Sequence, residues 1–438
     1  MVIPVSTVED GHSGSSESRD GSPTRRTLTV GRAFQINYTF LSGGICRLAM
    51  ANVQRVSLFV LLASVTEMVL VAVSWRLWFG VSEFPSVPVA SFGIQRPAAA
   101  ALFLMSCGVL SLCSYREWRT GQAKRATEFF AFACVAFGGL SVVLNLHCLQ
   151  AWHWLFLLIC GVRLCPAELQ GPVLRTGIAG IYLFAGLSRF GFPSGGGMTQ
   201  QIVQWWCDTL GHQPVPAQKT LLCHAANVME FCCGLLLLFP RTRRLGVGLA
   251  TLLHFGLLIA LGPWGLAHNQ PVLIWNFWFL LAIPLLFWPR DASSLSLVKS
   301  AVAIIALLPG LAGACGWIDA WPGWQLYSPQ PGSAQLFVQP DALKMLPRGL
   351  QEHVGPPSFE GDWCAVRVDD WSLEACGAAI YPDEEFQAEV IVECIRRLKP
   401  GQFRVVVERP QRPRWWRRDV MRSGNVEDLP RLGGVVGL

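Results

Sequence analysis

Apolar residues form a series of runs through the middle of this chain, and polar residues dominate both of its ends. A helix needs about 20 apolar residues to cross the hydrocarbon core of a bilayer. The pattern predicts nine spans, and the fourth is short enough that a re-entrant segment is the alternative. The predicted spans are residues 56–79, 97–114, 126–145, 150–165, 172–191, 220–239, 244–262, 270–288 and 297–317.

The two ends of the chain predict different structures. Residues 1–49 are rich in Ser, Thr, Gly and Arg and have no signal-peptide pattern, so we expect them to be disordered, with Met50 as an alternative start. At the other end we expect a linker with an aromatic segment over 319–345, a small α/β domain over 346–410 and a basic, flexible tail over 411–438. The stretches WCAVRVDDWSL and QFRVVVERP alternate like strands, whereas DEEFQAEVIVECIRRL has helical spacing.

The predicted fold class is therefore an all-α polytopic membrane bundle over residues 50–318, followed by a small C-terminal α/β domain outside the membrane. Between the fifth and sixth spans the sequence also predicts an amphipathic helix, with Thr199 as N-cap and a stop at Gly211. We expect this helix to lie in the membrane interface. The residues that share its apolar face are Ile202, Trp205, Trp206 and Leu210.

Basic residues fall in alternate loops, which predicts the orientation of the chain. The opposite loops, VSEFPSVPVASFGIQ and GPWGLAHNQ, contain neither Lys nor Arg. This pattern predicts a multi-pass cell-membrane protein with a cytoplasmic N-terminus and, after nine spans, an exoplasmic C-terminal domain. The basic loops contain Arg116, Arg119, Lys124 and Arg125, then Arg163 and Arg175, then Arg241, Arg243 and Arg244, then Arg290 and Lys299.

The composition agrees with a membrane protein and argues against several partners. Hydrophobic residues make up 52% of the chain and charged residues only 15%, whereas soluble domains carry about 25% charged residues. The basic block RPQRPRWWRRDVMR includes Trp415 and Trp416, which favours a lipid-facing tail over a nucleic-acid-binding arm. The 15 cysteines include no CxxC pair, so we expect packing roles and no metal site.

Polar residues inside the predicted spans are the candidates for chemistry, because hydrocarbon penalises them unless they face a partner or a cavity. We consider Arg189, Glu230 and His254 as candidate catalytic residues. On the sixth span, His224, Asn227 and Glu230 recur on one face, and on the fifth span Tyr182, Gly186 and Arg189 do the same. The other polar candidates are Glu67, Asn145, His147 and Asn276.

Each candidate also has a purely structural interpretation. Arg189 can extend to the headgroups, pair with Glu230 to join two spans, or line a pocket with His254. For His224 and His254, we expect hydrogen bonding between helices, with metal binding as the alternative. Glu67 has no visible partner in the sequence, and we expect a helix-packing acid, with a proton relay as the alternative.

Several motifs resemble the HTTM family, the bacterial relatives of vitamin K-dependent γ-carboxylase. IYLFAGLSRF, LLHFGLLIALGPWG, LNLHCL and WPGWQLYSPQPG carry this resemblance over about residues 50–340. The segments HFGLLIALGPWGLAHNQPVLIWN and LNLHCLQAWHWLFLL are similar to DoxX/MauE-like membrane proteins. The resemblance implies a helical membrane architecture with a C-terminal domain on the non-cytoplasmic side.

The resemblance also implies one difference in chemistry. The carboxylase family has a lysine that acts as a base in the vitamin K hydroquinone reaction, and Arg189 occupies that position here. Arginine stays protonated and cannot act as a base, so carboxylation is not expected. We expect an accessory, non-catalytic membrane protein that requires no cofactor. The alternatives are an enzyme acting on a lipid-soluble, quinone-like molecule between spans five and seven, and a transporter.

Overall fold

The computed structural model describes residues 53–423 apart from 91–92, 123, 191–196, 289–296, 327, 329–331, 358–362 and 411–417. The predicted disordered segment 1–49, together with Trp415, Trp416 and residues 424–438 of the predicted tail, lies outside the described residues.

Six helices of the described chain are long and apolar enough to cross a membrane, with mean hydropathies between 1.7 and 2.4 over 18-residue windows. Their length and composition define a multi-pass membrane protein. These helices are α1 (Val53–Val73), α3 (Arg96–Thr120), α4 (Lys124–Leu144), α8 (Pro216–Leu238), α9 (Arg243–Leu261) and α10 (Gln270–Phe287).

The count of nine spans is not confirmed by length and composition. The predicted fourth span is the 13-residue helix α5, and the predicted ninth span is divided at Leu307, two residues before Pro309. The predicted fifth span begins at Ala167, earlier than expected, so its first turns include Glu168 and Arg175. It is not among the six helices that are long and apolar enough to cross a membrane. These helices are α5 (Ala151–Arg163), α6 (Ala167–Leu187), α11 (Leu297–Ile305) and α12 (Leu308–Ala314).

Two shorter features complete the helical region. The predicted first span ends at Val73, and after Ser74 a separate helix α2 runs over Trp75–Phe79. The Ser74 hydroxyl donates to the Leu70 carbonyl at 2.6 Å and accepts from Trp78 Nε1 at 3.2 Å, so this serine is bonded to both helices. The predicted amphipathic helix is α7 (Met198–Thr209), and its N-cap is Gly197 in place of the expected Thr199.

Helices α6 and α8 pack closely because glycines face each other's backbone. A Cβ atom on Gly186 would lie 2.7 Å from the Phe231 nitrogen, and one on Gly234 would lie 2.8 Å from the Ala179 carbonyl oxygen. Small residues at helix interfaces let backbones approach in this way inside membranes. The close approach places the end of α6 beside the middle of α8, where the candidate site lies.

The C-terminal domain is a five-stranded antiparallel sheet of order β2-β3-β1-β4-β5, with α15 (Glu384–Ile395) packed on β1 and β4. Phe386, Val390 and Ile391 of α15 are buried in its core. The strands are β1 (Ser333–Val338), β2 (Val354–Pro357), β3 (Cys364–Val366), β4 (Phe403–Pro410) and β5 (Arg418–Ser423), and the other helices are α13 (Arg348–Gln351) and α14 (Val368–Cys376).

This domain corrects three boundaries. Strand β1 lies within the segment 319–345 that was expected to be a linker, and it is the central strand of the sheet. Strand β5 lies within the segment 411–438 that was expected to be a flexible tail. The stretch WCAVRVDDWSL forms β3 and then turns into α14, because its two aspartates occupy the first turn of a helix.

The domain is hydrogen-bonded to one end of the bundle. His147 Nε2 lies 2.9 Å from the Ala379 carbonyl oxygen, and Gln150 Nε2 donates to the same oxygen at 3.1 Å. The Tyr381 hydroxyl donates to Asp319 Oδ2 at 2.7 Å. The domain therefore contacts the turn between α4 and α5 and the segment that follows α12.

Candidate functional site

A cavity of about 490 Å³ lies among α6, α7, α8, α9 and α10. This volume falls within the range of about 300–1,000 Å³ that is typical of small-molecule sites. Its walls are mostly apolar, and Leu252 and Phe255 of α9 lie both in the cavity wall and on the exposed face of that helix. The polar and charged side chains that line it are Tyr182, Arg189, Thr199, Glu230, His254 and Asn276.

Arg189 lies two residues past the end of α6 and connects three parts of the chain. Its Nη1 donates to Glu230 Oε2 on α8. Its Nε and Nη2 donate to the Leu326 carbonyl oxygen at 3.2 and 2.8 Å. The Arg189 side chain is 12% exposed and that of Glu230 17%, so the pair is largely removed from solvent. Of the interpretations open at Arg189, the structure favours the ion pair in a cavity wall over extension to the headgroups.

A chain of hydrogen bonds joins α6, α9 and α10 at the cavity. Asn276 Nδ2 donates to the Val272 carbonyl at 2.8 Å, so Asn276 Oδ1 faces His254 Nδ1, which lies 2.8 Å away. Because that oxygen only accepts, His254 carries its proton on Nδ1 and accepts at Nε2. The Tyr182 hydroxyl donates to Nε2 at 2.5 Å. All three side chains are buried.

Aromatic rings hold this chain in place. The His254 ring stacks on Phe279 with 4.6 Å between centroids and 6° between planes. Tyr182 meets the edge of Phe279 at 6.0 Å. With Trp206 and Trp275, these rings give the cavity an aromatic wall beside the polar chain.

The structure brings together five of the residues expected from sequence and separates the others. Arg189, Glu230, His254, Tyr182 and Asn276 share the cavity. The other candidates, which do not line it, are Glu67, Asn145, His147, His224 and Asn227.

Two of the separated residues belong to the turn between α4 and α5. Asn145 Oδ1 accepts from the Val87 nitrogen at 3.3 Å, and His147 contacts the C-terminal domain. On α8, Asn227 is buried, whereas His224 is only half-buried. The contacts of Asn145 and His147 therefore give these two residues roles in packing the loop and the C-terminal domain.

Glu67 has a partner that the sequence did not reveal. His153 Nδ1 lies 2.6 Å from Glu67 Oε1, and both side chains are almost completely buried, at 0% and 2% exposure. The only sign of this pair in the sequence is that His153 lies in an unusually short apolar run. A second buried pair, in which Arg163 Nη2 donates to Glu117 Oε1 at 2.6 Å, was also not predicted.

The cysteines and other ligand-type residues form no metal cluster within the described ranges. All 14 cysteines described there are free thiols, and Cys107 and Cys134 are in contact at 3.8 Å between sulfur atoms. Buried thiols of this kind pack as small apolar side chains.

Comparison with known proteins gives no assignment. A scan of protein-family models, a search of curated proteins and a search of solved structures each find no match to this chain.

Proposed function

We propose that this membrane protein binds and acts on a lipid-soluble, quinone-like molecule in the cavity among α6, α7, α8, α9 and α10. The observation that carries the proposal is the convergence of Arg189, Glu230 and His254 in one largely apolar cavity. A dry, packed bundle would have favoured a purely structural role for these residues. The apolar and aromatic walls suit a ring with a hydrocarbon tail, and the polar chain suits its oxygen atoms.

The hydrogen-bond chain gives the proposed site a direction for proton movement. His254 Nε2 accepts from Tyr182, so a proton that leaves the tyrosine hydroxyl passes to His254. Asn276 holds the other ring nitrogen in its protonated form. A ligand oxygen beside Tyr182 then exchanges its proton with a donor and acceptor of fixed orientation.

Arg189 has a different role in this proposal. It keeps its charge and neutralises Glu230, so it does not serve as a base. Relationship to the HTTM or DoxX/MauE-like proteins remains part of the proposal, and it concerns architecture without carboxylation.

A ligand-binding experiment tests the proposal with two variants, one that fills the cavity with a larger side chain and one matched control outside it. Leu253 lines the cavity, whereas Leu245 on the same helix is 65% exposed and lies outside it. A decyl-substituted benzoquinone should quench the tryptophan fluorescence of the detergent-solubilised protein. Leu253→Trp should weaken binding of the quinone at least about tenfold, because the larger side chain takes up space in the cavity. Leu245→Trp should bind like the wild type, and equal binding by both variants contradicts the site.

A non-catalytic role is the second candidate, because the charges of the site are already paired and most of its wall is apolar. In that case the cavity holds a lipid-soluble molecule without changing it. Binding of the benzoquinone without any reduction or proton exchange, in the presence of a soluble electron donor, distinguishes this role from the enzyme.

We also propose nine membrane crossings with a cytoplasmic N-terminus and an exoplasmic C-terminal domain. Support comes from the contacts at the two ends of the 13-residue helix α5. One end of α5 contacts the C-terminal domain through Gln150, and the other contacts the end of α3 through Arg163. Reporter fusions at Ser293 and Gly401 should lie on opposite sides of the membrane. The same side for both contradicts this count.

A further inference from the structure

A second pocket lies on the opposite face of α7 from the cavity. Its volume is about 330 Å³, and none of its lining residues lines the cavity. Lys219 of α8 and Leu266 of the loop before α10 form its other walls. The α7 residues that line it are Gln200, Gln201, Gln204, Trp205 and Asp208.

The polar groups of this pocket are suited to hydroxyl groups. Gln204 Nε2 donates to Asp208 Oδ1 at 2.7 Å, and Gln213 Nε2 donates to the same oxygen at 3.2 Å. Asp208 Oδ2 has no hydrogen-bond partner among the described residues. The side-chain amides of Gln200 and Gln201 have no partner within the described part of the chain. An amide both donates and accepts, as a hydroxyl does, so adjacent amides match a ligand with several adjacent hydroxyl groups.

Charge and ring geometry narrow the ligand class further. Among the described residues, the only charged ones in the lining are Asp208 and Lys219, which have opposite signs, so the pocket favours an uncharged ligand. Trp205 is half-buried, and its ring contacts Trp206 at 4.9 Å between centroids with 72° between planes. This contact holds the Trp205 indole in place, and the indole surface can pack against the C–H groups of a ligand.

We propose that this pocket binds an uncharged hexopyranose ring, with the ring against Trp205 and its hydroxyl groups on the glutamine amides and Asp208. The sugar is either free or the headgroup of a glycolipid, and the same contacts serve both. The proposal concerns a site separate from the cavity, so it holds or fails independently of the proposed function.

Saturation-transfer NMR on the full chain tests the proposal. The protein is held in a polyoxyethylene detergent, which carries no sugar, and glucose or galactose is added. Transfer to the sugar ring protons is expected, whereas pentamethyl glucose should receive none because it has no hydroxyl donors. In a parallel measurement, native mass spectrometry compares retention of monoglucosyl diacylglycerol and phosphatidylcholine. Transfer to the free sugars indicates a soluble ligand, and selective retention of the glucosyl lipid alone indicates a headgroup.

Two variants assign the binding to this pocket. Trp205→Ala should lower the transfer or the glycolipid retention about tenfold through loss of the ring contact, and Gln201→Ala should also lower it. Trp264→Ala is the matched control, because Trp264 is 83% exposed and lies outside the pocket. The proposal is overturned if neither sugar source binds, if pentamethyl glucose binds as well as glucose, or if Trp205→Ala behaves like Trp264→Ala.

Discussion

Arg189 and Glu230 are ion-paired across α6 and α8, and the same guanidinium donates twice to the Leu326 carbonyl. The pair therefore joins two helices of the bundle to the segment that leads into the C-terminal domain. Both side chains line the cavity, and they are its only two formal charges among the described residues, so these charges cancel. An ion pair in this position affects both the stability of the bundle and the kind of ligand that the cavity accepts.

Removal of one partner of this pair should cost more than removal of both. Arg189→Ala leaves the Glu230 carboxylate in a largely apolar wall, at a cost of about 3 kcal/mol. Arg189→Lys should be milder because it keeps the charge, although it loses part of the contact with Leu326. The double change Arg189→Ala with Glu230→Ala should recover part of the loss. Thermal unfolding in detergent measures all three variants.

The control for this series is Arg241→Ala, because Arg241 is exposed and follows the end of α8 without an ion pair among the described residues. It should leave the melting temperature nearly unchanged. Strictly additive losses for the two single changes at Arg189 and Glu230 would show that these residues are not coupled.

The stability of the protein should depend on whether the side chain at position 67 can accept a hydrogen bond from His153. Glu67→Leu leaves His153 without its hydrogen-bond partner and should cost about 3 kcal/mol. Glu67→Gln keeps an acceptor for the imidazole and should cost much less. The exposed Glu352 provides the control Glu352→Leu. Equal thermal destabilisation by Glu67→Leu and Glu67→Gln is the result that this explanation does not allow.

Hydropathy was sufficient to predict the helical class, because membrane helices need long apolar runs. It was insufficient at α5, which is short, and at α6, whose first turns contain Glu168 and Arg175. The buried ion pair between Arg163 of α5 and Glu117 of α3 gives no signal in hydropathy. The central strand β1 was missed because its six residues follow a proline- and glycine-rich stretch that is typical of linkers. Its pairing with β3 and β4 depends on residues distant in sequence.

The candidate site was predictable where residues on one helix share a face. Tyr182 and Arg189 are seven residues apart, so helical periodicity places both toward the same cavity. Partners on different helices were not predictable, because no local pattern relates Glu67 to His153 across 86 positions. The polar pocket was also missed, since α7 was interpreted by its apolar residues alone, and Trp205 lies on its polar side.

The close packing of α6 on α8 predicts a strong effect of one added methyl group. Gly186→Ala places a Cβ 2.7 Å from the Phe231 nitrogen and 2.9 Å from the Asn227 carbonyl oxygen, and backbone atoms cannot move aside easily. We expect a loss of about 1–3 kcal/mol. Gly108→Ala on α3 is the control, because within the described chain its added Cβ has no atom within 4 Å apart from its chain neighbours and the nearby backbone of its own helix. Thermal unfolding should show no loss for Gly108→Ala, and equal melting temperatures for the two variants contradict the packing argument.

Asp383 predicts a loss of stability as pH rises. Burial raises the pKa of this carboxyl to about 7, and nearby Asp319 raises it further than burial alone. Because the pKa is higher in the folded chain than the usual 3.8, the folded state binds the proton more tightly. The contribution of protonated Asp383 to the free energy of unfolding is complete below about pH 4. It is lost as pH rises through 7, by at most about 1.4 kcal/mol per pH unit.

Asp383→Asn separates this effect from other titrations. Asparagine can still cap α15 by accepting from the Glu385 and Phe386 nitrogens, as Asp383 does at 3.0 and 2.9 Å. The melting temperature of the variant, relative to the wild type, should increase between pH 5 and pH 8. A difference that is constant over this range contradicts the raised pKa.

The environment of His147, at the contact between the bundle and the C-terminal domain, predicts a loss of stability as pH falls. Its Nε2 must carry a proton, because the Ala379 carbonyl 2.9 Å away can only accept, and its buried Nδ1 has no partner in the described part of the chain. Burial, followed by the nearby charge of Arg96, lowers the pKa of His147 to about 4, whereas its hydrogen bond to Ala379 opposes the shift. The neutral ring therefore contributes stability above about pH 6.5. This contribution is lost as pH falls toward 4.

His147→Gln should remove this acid sensitivity, because a glutamine amide can donate to the Ala379 carbonyl and does not titrate. The melting temperature of this variant, relative to the wild type, should rise as pH falls from 7 to 5. Hydrogen exchange in the full chain should place the change in residues 376–381 and in the turn between α4 and α5. His212→Gln, at an exposed histidine between α7 and α8, should follow the wild type at every pH. If His147→Gln responds to acid as the wild type does, a group other than His147 controls this contact.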